Sequence, residues 1–441
     1  MGRDAALRVA KTLRDALGSD RVTTEAAGYR LGAGEPAFVV FAHAEAEVAR
    51  VLALATEEGL GVVPWGGGAH QAAGGCPNRY DVALDLRHLN RILAYEPADM
   101  TVTTEAGIRL ADLQRRLGEH RQFWPLDPPL AEQATLGGVV AANVSGPLRC
   151  RYGTVRDLVL GVRVAHADGT ITKAGARVVK NATAYDLTKL YAGSYGTLGV
   201  LLEATLRLQP RPAVERGWWV TGATIEQCHD AAMRILGSHL AATRVELLDN
   251  RGVDRCGGPA AAAALFVSFA GVKEAVEDQG HGLEKLTRDL GLRAAAIADP
   301  AAAFRALQDF PWRCAGVRAA AFRGLWRGSV LPSDCAKAMQ AVRDAAAPYG
   351  TVAIAATVSH GVLRGELCAP SAEAVAGGVR AGREALGLLG GFLVVLEAPH
   401  PLRSTLDRWG PAPPEVELMR QIRAAFDKRC TVNPGRFVGE I

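Results

Sequence analysis

The hydrophobic positions of this chain change period repeatedly, and each change marks an element. Leu7, Ala10, Leu13 and Leu17 fall on one helical stripe within residues 1–30. Residues 37–41 form a short apolar strand, and residues 44–58 then read as a helix with Val48, Val51, Leu52 and Ala55 on one face. A strand over 61–65 runs straight into Gly66-Gly67-Gly68, and 82–86 and 101–105 are further strands. Leu110, Leu113 and Leu117 mark a third helix that ends at Gly118.

From residue 158 the period drops to two. Leu158, Leu160, Val162 and Val164 alternate inward, and Asp168-Gly169 is a hairpin turn before 170–173. In 200–208, Val200, Leu202, Ala204, Leu206 and Leu208 face one way, while Glu203, Thr205 and Arg207 face the other. That pattern predicts a half-buried antiparallel strand. Gln209-Pro210-Arg211-Pro212 ends it and makes a domain boundary. Residues 216–400 mix helical and strand patterns, with 352–358 and 392–396 the clearest strands. Prolines at 411, 413 and 414 break the chain, and Val416, Met419, Ile422 and Phe426 build a last amphipathic helix. The fold class is α+β in two domains, with a C-terminal tail that can return to the first.

Composition narrows the functional classes. With 441 residues, 49% hydrophobic and 22% charged, the chain is ordinary globular protein and long enough for about three compact units. A formal charge of +4 gives no broad footprint for nucleic acid. The eight cysteines are scattered without a C-x-x-C, so no zinc or iron–sulfur ligand set is visible and they read as reduced thiols. The first residues carry charges throughout, unlike a signal peptide, and the Ala-rich uncharged run 257–272 is shorter than the ~20 residues a membrane span needs. These features predict a cytoplasmic protein that meets a membrane, at the inner face of the cell membrane, only through a partner.

The common nucleotide and hydrolase signatures are absent: no G-x-G-x-x-G follows a strand, and no P-loop, H-E-x-x-H or G-x-S-x-G occurs. Two glycine-rich segments remain. In VVPWGGGAHQAAGG (62–75) a strand runs into three glycines, whose consecutive backbone N–H groups can form an anion nest. In ATLGGVVAANVSG (134–146) Thr135, the Gly137 and Gly138 amides, and Ser145-Gly146 offer the same device. A tight turn is the plain alternative for either loop alone; together they suggest a diphosphate held between subdomains.

The ordered series P-W-G-G-G, A-T-L-G-G, RYGTVRD (151–157), LGVRVAHADG (160–169), VVKNATAYDL (178–187) and GSYGTLGVLLEATLRLQP (193–210) resembles the FAD-binding domain of the vanillyl-alcohol-oxidase, or PCMH, type. The resemblance covers residues 35–212 and the tail. It implies a two-subdomain FAD-binding domain followed by an α+β cap, divided as 1–34 (N-terminal helical segment), 35–212 (FAD domain), 213–405 (cap) and 406–441 (C-terminal helix and tail). WGP (409–411), LMRQIRAAFD (418–427) and VNPGRFVGEI (432–441) further resemble the FAD-binding subunit of bacterial glycolate oxidase. In the cap, SHGVLRGEL (359–367) keeps one histidine where substrate-oxidising relatives carry a metal-binding H-x-G-D-G-N-x-H, so no metal site is expected.

Carried over by position, Trp65, Gly66, Gly67, Gly68, Ala69 and His70 would wrap the diphosphate, and Thr135, Leu136, Gly137 and Gly138 would meet it from the other side. Ser145 and Gly146 would lie near the flavin, Tyr152 and Gly153 match the family's Y-G, and Gly199 and Val200 match a segment whose main chain meets the cofactor. Trp65 stands where many relatives have Arg, and Ala184 where relatives often have Gly. Covalently flavinylated relatives place His where this chain has Ala69, so FAD is expected noncovalent and His70 reads as a loop contact. Cys150 reads as a partly buried thiol and Trp218-Trp219 as packing under the cap. No catalytic residue is assigned. His360 is either structural or facing the flavin, Arg364 is a candidate clamp for a substrate carboxylate, and Arg436 either holds the tail or lies at the surface.

The resemblance implies an FAD-binding redox subunit that helps oxidise a small 2-hydroxy acid to the 2-oxo acid beside a paralogous FAD-containing subunit and an iron–sulfur subunit. A stand-alone FAD-dependent dehydrogenase of the D-lactate type and a non-catalytic assembly subunit are the alternatives.

Overall fold

The computed structural model describes residues 2–176, 186–313 and 322–441. Ala184 and most of the 178–187 motif, together with Cys314, lie outside the described residues.

The helix Gly2–Leu17 buries Ala6, Val9, Ala10 and Leu13, while Leu7 is 45% exposed, so the buried stripe is turned from the expected one. It covers a four-stranded sheet ordered Val22–Thr23, Phe38–Phe41, Val82–Asp85, Val62–Trp65. The last three strands are parallel. Both their faces are covered, which is why they read as unbroken apolar runs. The helix Glu45–Glu57 makes the crossover, burying Val48, Val51, Leu52 and Ala55.

A second, antiparallel sheet is ordered Ile92–Glu96, Thr101–Glu105, Val200–Arg207, Val159–Ala165, Ile171–Gly175. Its central strand does not keep the simple alternation its sequence suggests. A register shift between Leu201 and Glu203 inserts one residue, as a β-bulge does. Val200 and Leu202 therefore join the core of the parallel sheet, whereas Leu201, Ala204 and Leu206 face the core under the second sheet. Leu158 also leaves the expected strand and closes the short helix Val155–Leu158. Gly169, with φ of +85°, makes the hairpin turn.

The cap is an eight-stranded antiparallel sheet ordered Arg293–Ala296, Val214–Gly222, Ala263–Gly271, Arg244–Asp249, Thr351–Thr357, Val362–Ala369, Phe322–Ser329, Phe392–Glu397. The helices Ile225–Leu236, Lys273–Asp289, Cys335–Ala346 and Ala372–Gly387 bury Ile225, Val276, Met339 and Val375 against one face. Trp218 points into that helical core beside Phe269, and Trp219 points to the opposite face beside Phe266. At the other end of this opposite face, Leu325, Val394 and Leu396 pack on Ala73 and Tyr195 of the first domain.

After the helix Val416–Phe426 the chain re-enters the first domain. Val62 N–H donates to Thr431 O at 2.8 Å and Asn433 N–H to Val62 O at 2.8 Å, which extends the parallel sheet by one short segment. Asp427 accepts from Val432 N–H, and Arg423 Nη2 donates to Val432 O at 2.7 Å. The last residues thus belong to the wall of the first domain. Among the described residues no helix is long and apolar enough to cross a membrane.

Candidate functional site

A groove opens between the two sheets of the first domain, and Trp65, Gly66, Gly67, Gly68, Ala69 and His70 form one wall. The amides of Gly67, Gly68, Ala69 and His70 donate to no backbone carbonyl among the described residues. A loop with consecutive free N–H groups is an anion nest. Gly66 and Gly67 serve a different purpose from the one expected. A Cβ on Gly66 would lie 2.0 Å from Thr135 Oγ1, and one on Gly67 would lie 1.5 Å from Gln133 O. These glycines let the first loop pack against the second. Gly68 has φ of +75° and leaves its open side to the groove.

Thr135, Gly137 and Gly138 form the facing wall. The Gly137 amide is committed to Ala106 O at 2.7 Å and the Leu136 amide to Ile108 O at 2.9 Å, so neither is free for a ligand. A Cβ on Gly138 would meet only Thr135 Oγ1, at 3.4 Å. Gly138 is therefore the glycine of this wall whose missing side chain leaves room for something outside the protein. Gly199, with φ of +143°, and Val200 close the floor.

Five expected residues lie outside this groove. The Leu136 side chain is fully buried in the core of the second sheet. Gly146 packs on Asp127, whose carbonyl oxygen would lie 1.8 Å from a Cβ there. Gly153, with φ of +84°, ends the helix Arg149–Tyr152. Tyr152 stacks edge-on against Phe123 and lines another cleft, with Asp127 and Arg244. Ser145 lines a smaller pocket described below.

The tail supplies what the motifs did not. Asn433 and Arg436 line the groove with Tyr195 and Gly196. Asn433 Nδ2 donates to Tyr195 O at 2.6 Å. Arg436 Nη2 donates to Gln71 O and Ala73 O at 2.9 and 3.1 Å, while its Nε is buried without a partner. Burial pulls its pKa down to about 10, still high enough to keep the charge. A buried cation, a nest of amides and a glycine-lined wall suit a phosphate-bearing, partly apolar ligand such as a flavin dinucleotide.

His70 also lines the smaller pocket, under the cap, with Tyr195 and Trp312. Its ring meets Trp312 edge-on at 5.6 Å and lies beside the Pro129 carbonyl, with neither nitrogen in a well-formed hydrogen bond. Burial drives its pKa down to about 4, so the imidazole is neutral at physiological pH. Arg149, Arg327 and Arg364 line the same pocket. The Arg364 guanidinium is largely committed, giving Nη2 to Glu246 Oε2 at 2.5 Å and Nη1 to Leu307 O and Phe310 O at 3.0 and 3.3 Å. It is thus held by the cap itself rather than offered as a clamp. His360 Nδ1 bonds Ser359 Oγ at 2.8 Å and the ring does not line the pocket. Burial raises the Cys150 thiol pKa, which keeps it protonated. Among the described residues no group of three His, Cys, Asp or Glu side chains converges as a metal site would require.

Comparison with known proteins agrees with this architecture. Residues 36–175 match the family model described as FAD binding domain, and residues 211–369 match FAD linked oxidases, C-terminal domain. The mitochondrial D-lactate dehydrogenase (cytochrome) of Arabidopsis thaliana is 35% identical over 249 residues, which is 55% of this chain but only 44% of that protein. Glycolate oxidase subunit GlcD of Bacillus subtilis is 26% identical over 425 residues, 88% of this chain and 86% of its own. Glycolate oxidase subunit GlcE of Escherichia coli is 41% identical over 130 residues, 29% of this chain and 37% of its own. Among solved structures, p-cresol methylhydroxylase superposes with a TM-score of 0.73 at 17% identity, covering 98% of this chain and 96% of that one. Alkyldihydroxyacetonephosphate synthase gives 0.77 at 16% identity, covering 97% and 84%. Two matched domains in this order, on this fold, show that the chain belongs to the FAD-linked oxidases with a PCMH-type FAD-binding domain, a family of oxidoreductases whose cofactor is FAD.

Proposed function

We propose that this chain is a noncovalent FAD-binding redox subunit that takes part in oxidising a small 2-hydroxy acid to the 2-oxo acid, beside a paralogous flavoprotein subunit and an iron–sulfur subunit. The observation that carries FAD-linked oxidation, on this reading and on the second one below, is the juxtaposition of the glycine-walled groove with a cationic pocket under the cap, joined at His70 and Tyr195. Likeness to two glycolate oxidase subunits supports the place in a complex.

The residues divide the work. The 67–70 amides and Arg436 would hold the diphosphate end, and Asn433 ties the tail to the Tyr195 loop that closes the groove. FAD, when bound, supplies the two-electron acceptor. The cap packs Leu325, Val394 and Leu396 over the junction, which excludes water from it. The neutral His70 keeps one further positive charge out of a pocket already rich in them.

A second reading, a stand-alone dehydrogenase, is favoured by that same cationic pocket, since an accessory subunit has no need of a substrate site. The likeness to the D-lactate dehydrogenase agrees with it. The deciding experiment is anaerobic addition of glycolate or D-lactate to the purified yellow protein. Bleaching of the visible flavin band without partners selects the second reading. Bleaching only after the partner subunits are added selects the first.

A further inference from the structure

The strands Phe322–Ser329 and Val362–Ala369 pair so that Arg327 stands directly opposite Arg364. Directly opposed residues in an antiparallel pair share a face, and like charges there repel. Glu246 and two backbone carbonyls hold Arg364. The Arg327 side chain has no hydrogen bond or ion pair among the described residues, and that of Arg149, from the first domain, has none either, with its Nε shut away from solvent. Both guanidinium groups line the pocket that His70 joins to the groove. Arg149 is further destabilised as a cation, its pKa drawn down to about 10 by burial first and by Arg327 second.

Gathering partly buried guanidinium groups without side-chain partners around one small pocket is costly, because they repel one another and are poorly solvated. An anion would relieve the cost. The free space is about 30 Å³, against the ~10–15 Å³ that one water needs, so it accommodates a carboxylate-sized group and little more. Trp312 and Tyr195 form its apolar side.

We infer that Arg149 and Arg327 form a two-domain clamp for the carboxylate of a small organic acid, with Arg364 positioned behind them by Glu246. The inference rests on the proposed oxidation of a 2-hydroxy acid but assigns the clamp to residues that no motif marked. Its two halves come from different domains, so the site is complete only while the cap is docked.

The test uses the FAD-loaded full-length protein, titrated with glycolate and, as an anion with no hydroxyl carbon to oxidise, oxalate. Perturbation of the visible flavin spectrum reports binding without turnover. Wild-type protein is expected to show a saturable change. Arg149→Met and Arg327→Met should each weaken it about 10- to 100-fold, as loss of a charge-assisted hydrogen bond does. Arg327→Lys should recover part of the loss. Arg380→Met, an exposed helix residue, controls for net charge and should bind as wild type does. Because neither clamp side chain bonds the protein, both methionine variants should melt at or above the wild-type temperature, which a structural arginine would not allow. Wild-type binding that survives unchanged in both variants overturns the clamp and leaves the oxidation reading standing. A flavin-loaded wild type that neither anion perturbs overturns the clamp as well and removes the stand-alone reading, while leaving that of the accessory subunit.

Discussion

Glycines that look equivalent in the motif do unequal jobs in the groove. Gly67 is hemmed in by a carbonyl of the neighbouring loop, so a larger residue there displaces Gln133 before it meets any ligand. Gly138 faces the groove with only Thr135 Oγ1 nearby. Gly138→Val should therefore lose FAD while keeping the fold, at a stability cost of about 1 kcal/mol or less, the scale of helix propensities. Gly67→Val should lose both. Comparing the ratio of flavin to protein absorbance with urea melts separates the two; a folded Gly138→Val protein with full flavin would remove that wall from the site. Ala69 leads to a second expectation. It offers no nucleophile, and the adjacent His70 ring is packed against Trp312. Acid precipitation should leave a colourless pellet and FAD in the supernatant, and yellow denatured polypeptide would contradict noncovalent binding.

The elements show why some of the site was legible and some was not. The glycine loop, the Thr135 segment and Gly199-Val200 are local signals, each set by a strand meeting a turn, and the groove gathers them. Asn433 and Arg436 come from the far end of the chain, and only the return of the tail beside Val62 brings them to the groove and to Tyr195. Arg149 and Arg327 are as hidden, being two among many arginines until an eight-stranded sheet docks on the first domain. The alternation of 200–208 misled because a bulge divides one strand between two cores.

The docking itself runs through the loop at 124–130, which carries Pro125, Pro128 and Pro129. Asp127 accepts from Leu148 N–H at 2.9 Å and faces Arg244 Nε of the cap at 3.3 Å, while Leu130 N–H donates to Asp309 and Gln308 to Pro128 O. Burial outweighs Arg244 and lifts the Asp127 pKa to about 6, above its ordinary 3.8. The fold thus favours the protonated acid, and the contribution to stability is present at low pH and lost as pH rises through about 6. Asp127→Asn removes that titration. Denaturant melts from pH 4 to 7 should show the wild type losing stability relative to the variant as pH rises; a difference that is flat with pH would mean Asp127 is already ionised at the acid end.

At the scale of the whole molecule, the question is where electrons go once they are on the flavin. The chain is only slightly charged for its size, at +4, so it has no broad field to steer a charged acceptor to it. Its eight cysteines are scattered, and the described ones form no convergent set with His, Asp or Glu that would hold a cluster. Two candidates for the chemistry are otherwise engaged, His360 with Ser359 and Arg364 with Glu246. A pocket that holds a carboxylate as proposed, and whose described lining offers as a base only a histidine with a pKa near 4, has little driving force for taking a hydroxyl proton at neutral pH. Slow turnover by the isolated chain follows. With glycolate or D-lactate and an artificial acceptor, the purified protein should fall well below ~10 per second, the median for enzymes. Adding a paralogous flavoprotein subunit and an iron–sulfur subunit should raise the rate by at least tenfold. Turnover at the enzyme median by the chain alone, unchanged by partners, would establish it as a stand-alone dehydrogenase and would require a base other than His70.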